Sequence, residues 1–278
     1  TWLKCREAAQ RLGDDIVMIG ILPTVENEDL NLANMSNMER YRALNREVLR
    51  MRQGRPLVLD INGEEHLRVV HRDVMLESAT TSFQIHLQVP LPLAVRAYNA
   101  SIICSAPLVA ISANSPYLFG HDLWAETRIP LFEQSVEVGG YEDDSHGPMR
   151  RVSFGSGYVR NSVMECFTEN LEHFPVLLPI EFEAPDAQMR HLRLHNGTIW
   201  RWNRPLIGFD TQAAPCGYAL VGHRIVHNHQ INCFNSCSQV VIVEPNLTER
   251  TAFRRSVYEV RAASEAHDRT ITNGRLDS

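Results

Sequence analysis

The alternation of apolar and polar residues changes rhythm several times along the chain, and each change predicts an element. Apolar spacing of three and four predicts a helix over residues 5–12, and the unbroken run DIVMIGIL, closed by Pro23, predicts a strand over 15–22. Tyr41, Leu44, Val48 and Met51 fall on one face of a helix expected over 37–51, which Gly54-Arg55-Pro56 ends. Next come a strand over 57–61, the two-residue turn Asn62-Gly63 and a returning strand over 67–70. From 80 to 89 the pattern has period two, with Phe83, Ile85, Leu87 and Val89 on one face and Gln84, His86 and Gln88 on the other. Pro90 and Pro92 close that strand and open a long apolar helix reaching Asn114, expected to lie buried in the core.

Beyond it, YEDDSHG over 141–147 predicts an exposed loop, residues 161–174 an amphipathic helix stopped by Pro175, and 184–188 a linker. HLRLHNGTIWRW predicts one or two strands about an Asn196-Gly197 corner. Helices mixed with adjacent hairpins argue for an α+β fold around an antiparallel sheet. The periodicity fades after residue 210, which divides the chain into a domain over 1–210 and a divergent, partly disordered tail over 211–278.

The chain has 278 residues, enough for one large core or two modest ones, and a net charge of −6 that offers no bulk attraction to nucleic acid or an anionic membrane. The apolar stretch 100–113 falls short of the ~20 residues a membrane span needs. Six cysteines without a compact framework fit the reduced thiols of a cytoplasmic protein. The chain opens with Thr1 inside an expected helix, as a fragment would.

Three arginine-bearing segments carry the candidate chemistry: Arg128 beside Trp124, Arg193, and the pair Arg201 and Arg204 around Trp200 and Trp202. Guanidinium forks match carboxylate and phosphate oxygens two at a time, so their convergence would suit a doubly anionic substrate; the competing reading is a set of surface ion pairs. His86, on the polar face of its strand, could position a substrate or serve as a structural hydrogen-bonding residue. Asp73 and Glu77 are candidate metal carboxylates that lack a second carboxylate at fixed spacing. Ser153 to Gly157 could approach a phosphate or form a plain turn. In the tail, Cys216, His223, His227, His229, Cys233 and Cys237 have spacings found in zinc sites, though irregular between pairs.

At ATTSFQIHLQV, ISANSPYLFG, LWAETRIPLFEQS and RLHNGTIWRWNRP, with ILPTVENEDL, NMSNMERYRALN and VSFGSGYVRNSV in support, the chain resembles the glutamate–cysteine ligase type 2 family, over roughly residues 15–210. The family includes plant-type glutamate–cysteine ligases and bacterial carboxylate-amine ligases. The resemblance implies a glutamine-synthetase-like antiparallel sheet backed by helices, here incomplete. It implies ATP-dependent joining of the glutamate side-chain carboxylate to the amine of cysteine or another amino acid through an acyl phosphate, with ATP and Mg2+ as cofactors, in cytoplasmic glutathione biosynthesis. By the same resemblance Arg128 would grip a substrate carboxylate, with Arg201 and Arg204 in the catalytic set. Gln84, His86, Gln88, Ser115, Tyr117, Trp124, Arg193 and Asn196 would line the substrate, and Arg224 would serve the cofactor. The implied partners are small molecules, with neither nucleic acid nor membrane; a homo-oligomer is left open.

Two departures qualify the resemblance. The family's opening strand with metal-binding glutamates, G-[IV]-E-x-E, is missing, and where the family reads close to HLRIEHR this chain reads Tyr218-Ala-Leu-Val-Gly-His-Arg224, with Leu220 for arginine and Gly222 for glutamate. The metal ligands are therefore not identified. The expectation is an incomplete copy, truncated at its start and frameshifted or rearranged after about residue 210. It is either a ligase of reduced turnover or a non-catalytic binding or regulatory protein keeping the scaffold and an anionic-ligand cleft; a small zinc module in the tail is a third reading.

Overall fold

The computed structural model describes residues 2–15, 19–81, 87–138, 150–182, 189–206 and 240–243. The order of elements is α1 (Trp2–Gln10), α2 (Glu39–Met51), β1 (Leu57–Asn62), β2 (His66–His71), β3 (Leu87–Pro90), α3 (Ala94–Ser112), β4 (Tyr117–Leu118), β5 (His121–Asp122), α4 (Arg128–Ser135), α5 (Met164–His173), α6 (Arg190–Gly197) and β6 (Val240–Val243). Among the described residues the strands form three two-stranded sheets, of which β1–β2 and β4–β5 are antiparallel and β3–β6 is parallel. The fold is thus an incomplete α+β arrangement, as the pattern predicts.

Strict alternation places Leu57, Leu59 and Ile61 inward from β1, opposite His71, Val69 and Leu67 of β2. Asn62 pairs with His66, so the hairpin turns through Gly63, Glu64 and Glu65 and is one residue longer than Asn62-Gly63 alone predicts. An added Cβ at Gly63 would come within 2.5 Å of the Leu123 backbone, so only glycine lets the hairpin tip and the 121–124 segment touch. Glu64 and Glu65 donate their amides to the carbonyls of Leu123 and Asp122. One core lies beneath: Ile21, Leu59, Ile61, Leu76, Leu118 and Leu131 pack together. A second core joins α3, α5 and α6 through Tyr98, Val163, Phe167 and Leu192. Phe132 of α4 sits edge-on to Trp200 and Trp202, with ring centroids at 6.2 and 6.0 Å, and so links the two halves.

Four expectations need correction. HLRLHNG is helix α6, not a strand: Leu192, His195, Asn196 and Ile199 bury themselves at helical spacing, and Arg193 and Thr198 donate amides four residues back. Asn196-Gly197 ends that helix instead of turning a hairpin. The expected strand over 15–22 is not formed in its described part, although Thr81 donates its amide to Gly20 and its hydroxyl to Ile19. Helix α3 is not a buried core helix: it buries Ala94, Tyr98, Ser101 and Ser105, whereas Ile103 and Ile111 are 63% and 82% exposed. Its 19 residues are long and apolar enough to cross a membrane, a test that core helices also pass. Of the tail, Val240 to Val243 form β6 and pair with Leu87 to Pro90. The loop 141–147, the linker 184–188 and the rest of the tail lie outside the described residues.

Candidate functional site

Between α3 and α4 the chain folds back on itself through Ser115 to Arg128. Ser115 donates its amide to Ala125, Thr127 donates to Ser115, and Leu123 donates to Pro116, which closes a tight loop around the short β4–β5 hairpin. Trp124 is 43% exposed and donates its indole Nε1 to Asn62 O at 2.7 Å, so it clamps the loop onto the tip of β1. Tyr117 is 44% exposed on β4.

Arg128, at the end of the same loop, is wholly buried. Its Nε and Nη2 reach Oε1 and Oε2 of Glu126 at 2.6 and 2.5 Å, and Nη1 donates to Thr81 O at 2.9 Å. Ser115 Oγ accepts from Arg128 Nε and donates to Glu126. A Cβ on Gly20 would stand 2.5 Å from the guanidinium carbon, so the charge is stacked on bare backbone. Burying an arginine is tolerable only because the fork meets its carboxylate partner two points at once. Arg128 thus ties together Gly20, Thr81 and the 115–128 loop, three residues before the Gln84 to Gln88 segment begins.

Arg201, also buried, forms the centre of a second network. Its Nη1 pairs with Glu169 Oε1 at 2.6 Å, and Nε and Nη2 donate to Asn170 Oδ1 at 3.2 and 2.8 Å. Asn170 passes its amide to Asn196 Oδ1, and Asn196 donates to Pro205 O. Glu169 also accepts the backbone amide of Ser156. The glycine-flanked turn considered for a phosphate therefore holds an oxyanion of the protein's own. Gly155, at φ +66°, leaves the space that the Arg201 guanidinium fills. Arg204 donates to the carbonyls of Asn196, Gly197 and Ile199, where it caps the end of α6. His195, buried against Asn170 O, has its imidazole pushed down to about 4 by burial, with Arg151 nearby adding to the effect.

The sequence candidates therefore gather in two places. Ser115, Tyr117, Trp124 and Arg128 share the loop; Asn196, Arg201 and Arg204 share the α5–α6 network, and Arg193 stands on the outer side of α6. Arg128 and Arg201 are ion-paired, as the competing reading holds, but inside the protein and not on its surface. Gln88 lies on β3 opposite Val241, its side chain outside the description. Gln84, His86, Arg224 and the cysteine and histidine cluster of the tail lie outside the described residues. Glu126, Glu169 and Asn170 are the central residues that pattern reading misses; the sequence signal available was a carboxylate two residues before Arg128 and an Asn on the apolar face of α5.

Among the described residues, cavities of about 470 Å³ open elsewhere. One is lined by Asp29, Asn34, Tyr41, Met75 and Glu77, and there the surrounding protein pushes the Glu77 carboxyl above the usual carboxylate range. A second lies against α6 and includes Arg193 and Asn196. Among the described residues no three His, Cys, Asp or Glu side chains converge as a metal ion would need, and Glu126 and Glu169 are engaged by arginines; this donor set does not fit magnesium.

No curated protein and no solved structure matches the chain. A family model, glutamate-cysteine ligase family 2, matches residues 3–162, which takes in α1 through the loop of Ser115 to Arg128 and the turn at Gly155. With more than half its length so matched, the chain belongs to glutamate-cysteine ligase family 2.

Proposed function

We propose that the chain is an ATP-dependent carboxylate-amine ligase of the glutamate–cysteine type, forming a γ-glutamyl amide through an acyl phosphate. The observation that carries this reading, beside the family membership, is the Arg128–Glu126–Ser115 unit, which fastens the loop bearing Tyr117 and Trp124 to Thr81, at the root of the Gln84 to Gln88 segment. In this reading Arg128 acts as a positioning residue. It fixes the loop and the segment that the family resemblance turns toward substrate, while Trp124 and Tyr117 supply exposed rings beside them. ATP would supply the phosphoryl group that activates the carboxylate, and the described side chains take no metal-binding role.

A second reading has its own support. With both guanidiniums engaged by internal carboxylates and no described metal set, the chain could keep the scaffold and bind an anionic ligand without turnover.

Release of inorganic phosphate from ATP by the full chain, with glutamate and cysteine against glutamate alone, tests the first reading. Amine-dependent release with a γ-glutamyl product supports it. Saturable glutamate binding by calorimetry with no phosphate release overturns it in favour of the second.

A further inference from the structure

The cavity bounded by the 29–36 segment, the start of α2 and the turn at 74–78 has no part in the ligase reading, and no residue of the Ser115 to Arg128 loop lines it. Its walls are fixed by bonds between segments: His71 Nε2 meets Asn27 Oδ1 at 2.9 Å, and Asn45 Oδ1 accepts the Val74 amide at 3.0 Å. The first wall is also stitched to itself, since Asp29 Oδ2 accepts the Glu26 amide, Asp29 O accepts from Asn34 Nδ2, and Asn31 Oδ1 accepts the Ala33 amide. Met35, Tyr41 and Leu44 line the cavity partly buried, and Ser36 and Ser78 add hydroxyls. Two carboxylates, Asp29 and Glu77, stand on the lining; among the described residues no lysine, arginine or histidine does.

From this lining we propose a binding site for a small amphipathic amine, a primary ammonium on a short alkyl chain. A carboxylate walled in by protein calls for a counter-charge, and among the described residues Glu77 has neither an ion pair nor a side-chain hydrogen bond. Burial holds its carboxyl above the usual range, with no cationic side chain offsetting the shift. The side chain is nonetheless open at its surface, so what lies before it is the cavity and not packed protein. An ammonium donates three hydrogen bonds, for which Glu77, the Asp29 oxygen not held by Glu26 and the Ser36 hydroxyl are the acceptors on offer. A divalent cation fits less well, because among the described residues no three acidic, histidine or cysteine side chains converge. Met35, Tyr41 and Leu44 set the rest of the ligand, since they offer an alkyl chain apolar surface that a hydrated ion leaves unused. About 470 Å³ lies within the range of pockets that enclose small molecules. The site stands independently of the ligase activity, and a chain inert toward ATP would still show it.

Calorimetric titration of the full chain with n-hexylammonium, methylammonium, 1-hexanol and calcium, at about pH 8 where carboxylates and alkylamines are both charged, tests the proposal. Hexylammonium should saturate a single site at least about tenfold more tightly than methylammonium, which lacks the apolar body, or hexanol, which lacks the charge. Glu77→Gln should weaken hexylammonium by about tenfold while leaving hexanol unchanged. Asp29→Asn, which keeps an oxygen for the Glu26 amide, serves as a second variant should Glu77→Gln alter the circular dichroism. No saturable binding of hexylammonium, equal binding by hexanol or methylammonium, tighter binding of calcium, or wild-type affinity in a folded Glu77→Gln or Asp29→Asn chain overturns the proposal.

Discussion

Glu126 and Arg128 meet through two parallel hydrogen bonds in a space that water does not reach, although only one residue separates them along the chain. Glu126→Ala would leave a guanidinium buried without its counter-charge. The expected cost is about 3–5 kcal/mol in denaturant unfolding, and the double variant Glu126→Leu with Arg128→Met should recover part of it. A loss below about 1 kcal/mol for Glu126→Ala would show that the pair does not hold the loop.

Gly155 gives a sharper steric test. A methyl group there would enter the space of the Arg201 guanidinium, and the residue's positive φ adds backbone strain. Gly155→Ala should destabilise the chain by about 3 kcal/mol, read from denaturant unfolding. Gly157→Ala has open space around its Cβ and should cost less, the strain of its positive φ alone.

Much of this arrangement was legible beforehand, and the part that was not has a physical reason. The amphipathic face of α2 and the β1–β2 hairpin follow from local periodicity, because each buries one side against a neighbour. The HLRLHNG segment fits both periods over so short a span, with Leu192 and Leu194 alternating as a strand would and Leu192 and Asn196 spaced as in a helix. Only tertiary packing on Phe167 decides between them. Arg128 and Arg201 were recognisable as charges beside large rings that need partners. Glu126, Glu169 and Asn170 were not recognisable as those partners, because a carboxylate's burial depends on long-range contacts such as Gly20 and Ser156 that no sequence spacing encodes.

His195 makes stability depend on acidity. Its folded-state value of about 4 lies below the 6.5 of a free imidazole, so between these values the unfolded chain binds more protons than the folded one. Stability from this residue is fully present above pH 6.5 and is lost as pH falls toward 4, by about 3 kcal/mol in all. His195→Gln should flatten that part of the stability profile measured by urea unfolding. An unchanged slope would mean that another group carries it.

Thiol chemistry separates the described cysteines. Cys5 and Cys104 are exposed, whereas Cys166 is buried and its thiol is pushed up by that burial. Brief iodoacetamide treatment followed by peptide mapping should label Cys5 and Cys104 and spare Cys166 until denaturant is added. Early labelling of Cys166 would show that α5 opens locally.

Helix α3 is built inside out. Toward its own chain it presents small residues, hydroxyls and a phenol: Tyr98 donates to Asn203 O, Ser105 and Asn203 bond to each other, and Asn99 bonds to Val159 at both its amide and its carbonyl. Ile103 stands two residues from both Ser101 and Ser105, so about half a turn about the helix axis would hide isoleucine and bare serine. Hydrophobic pressure alone would favour that turn. What sets the azimuth of the helix is a handful of directional bonds, so its orientation is chosen by angle and distance more than by greasiness.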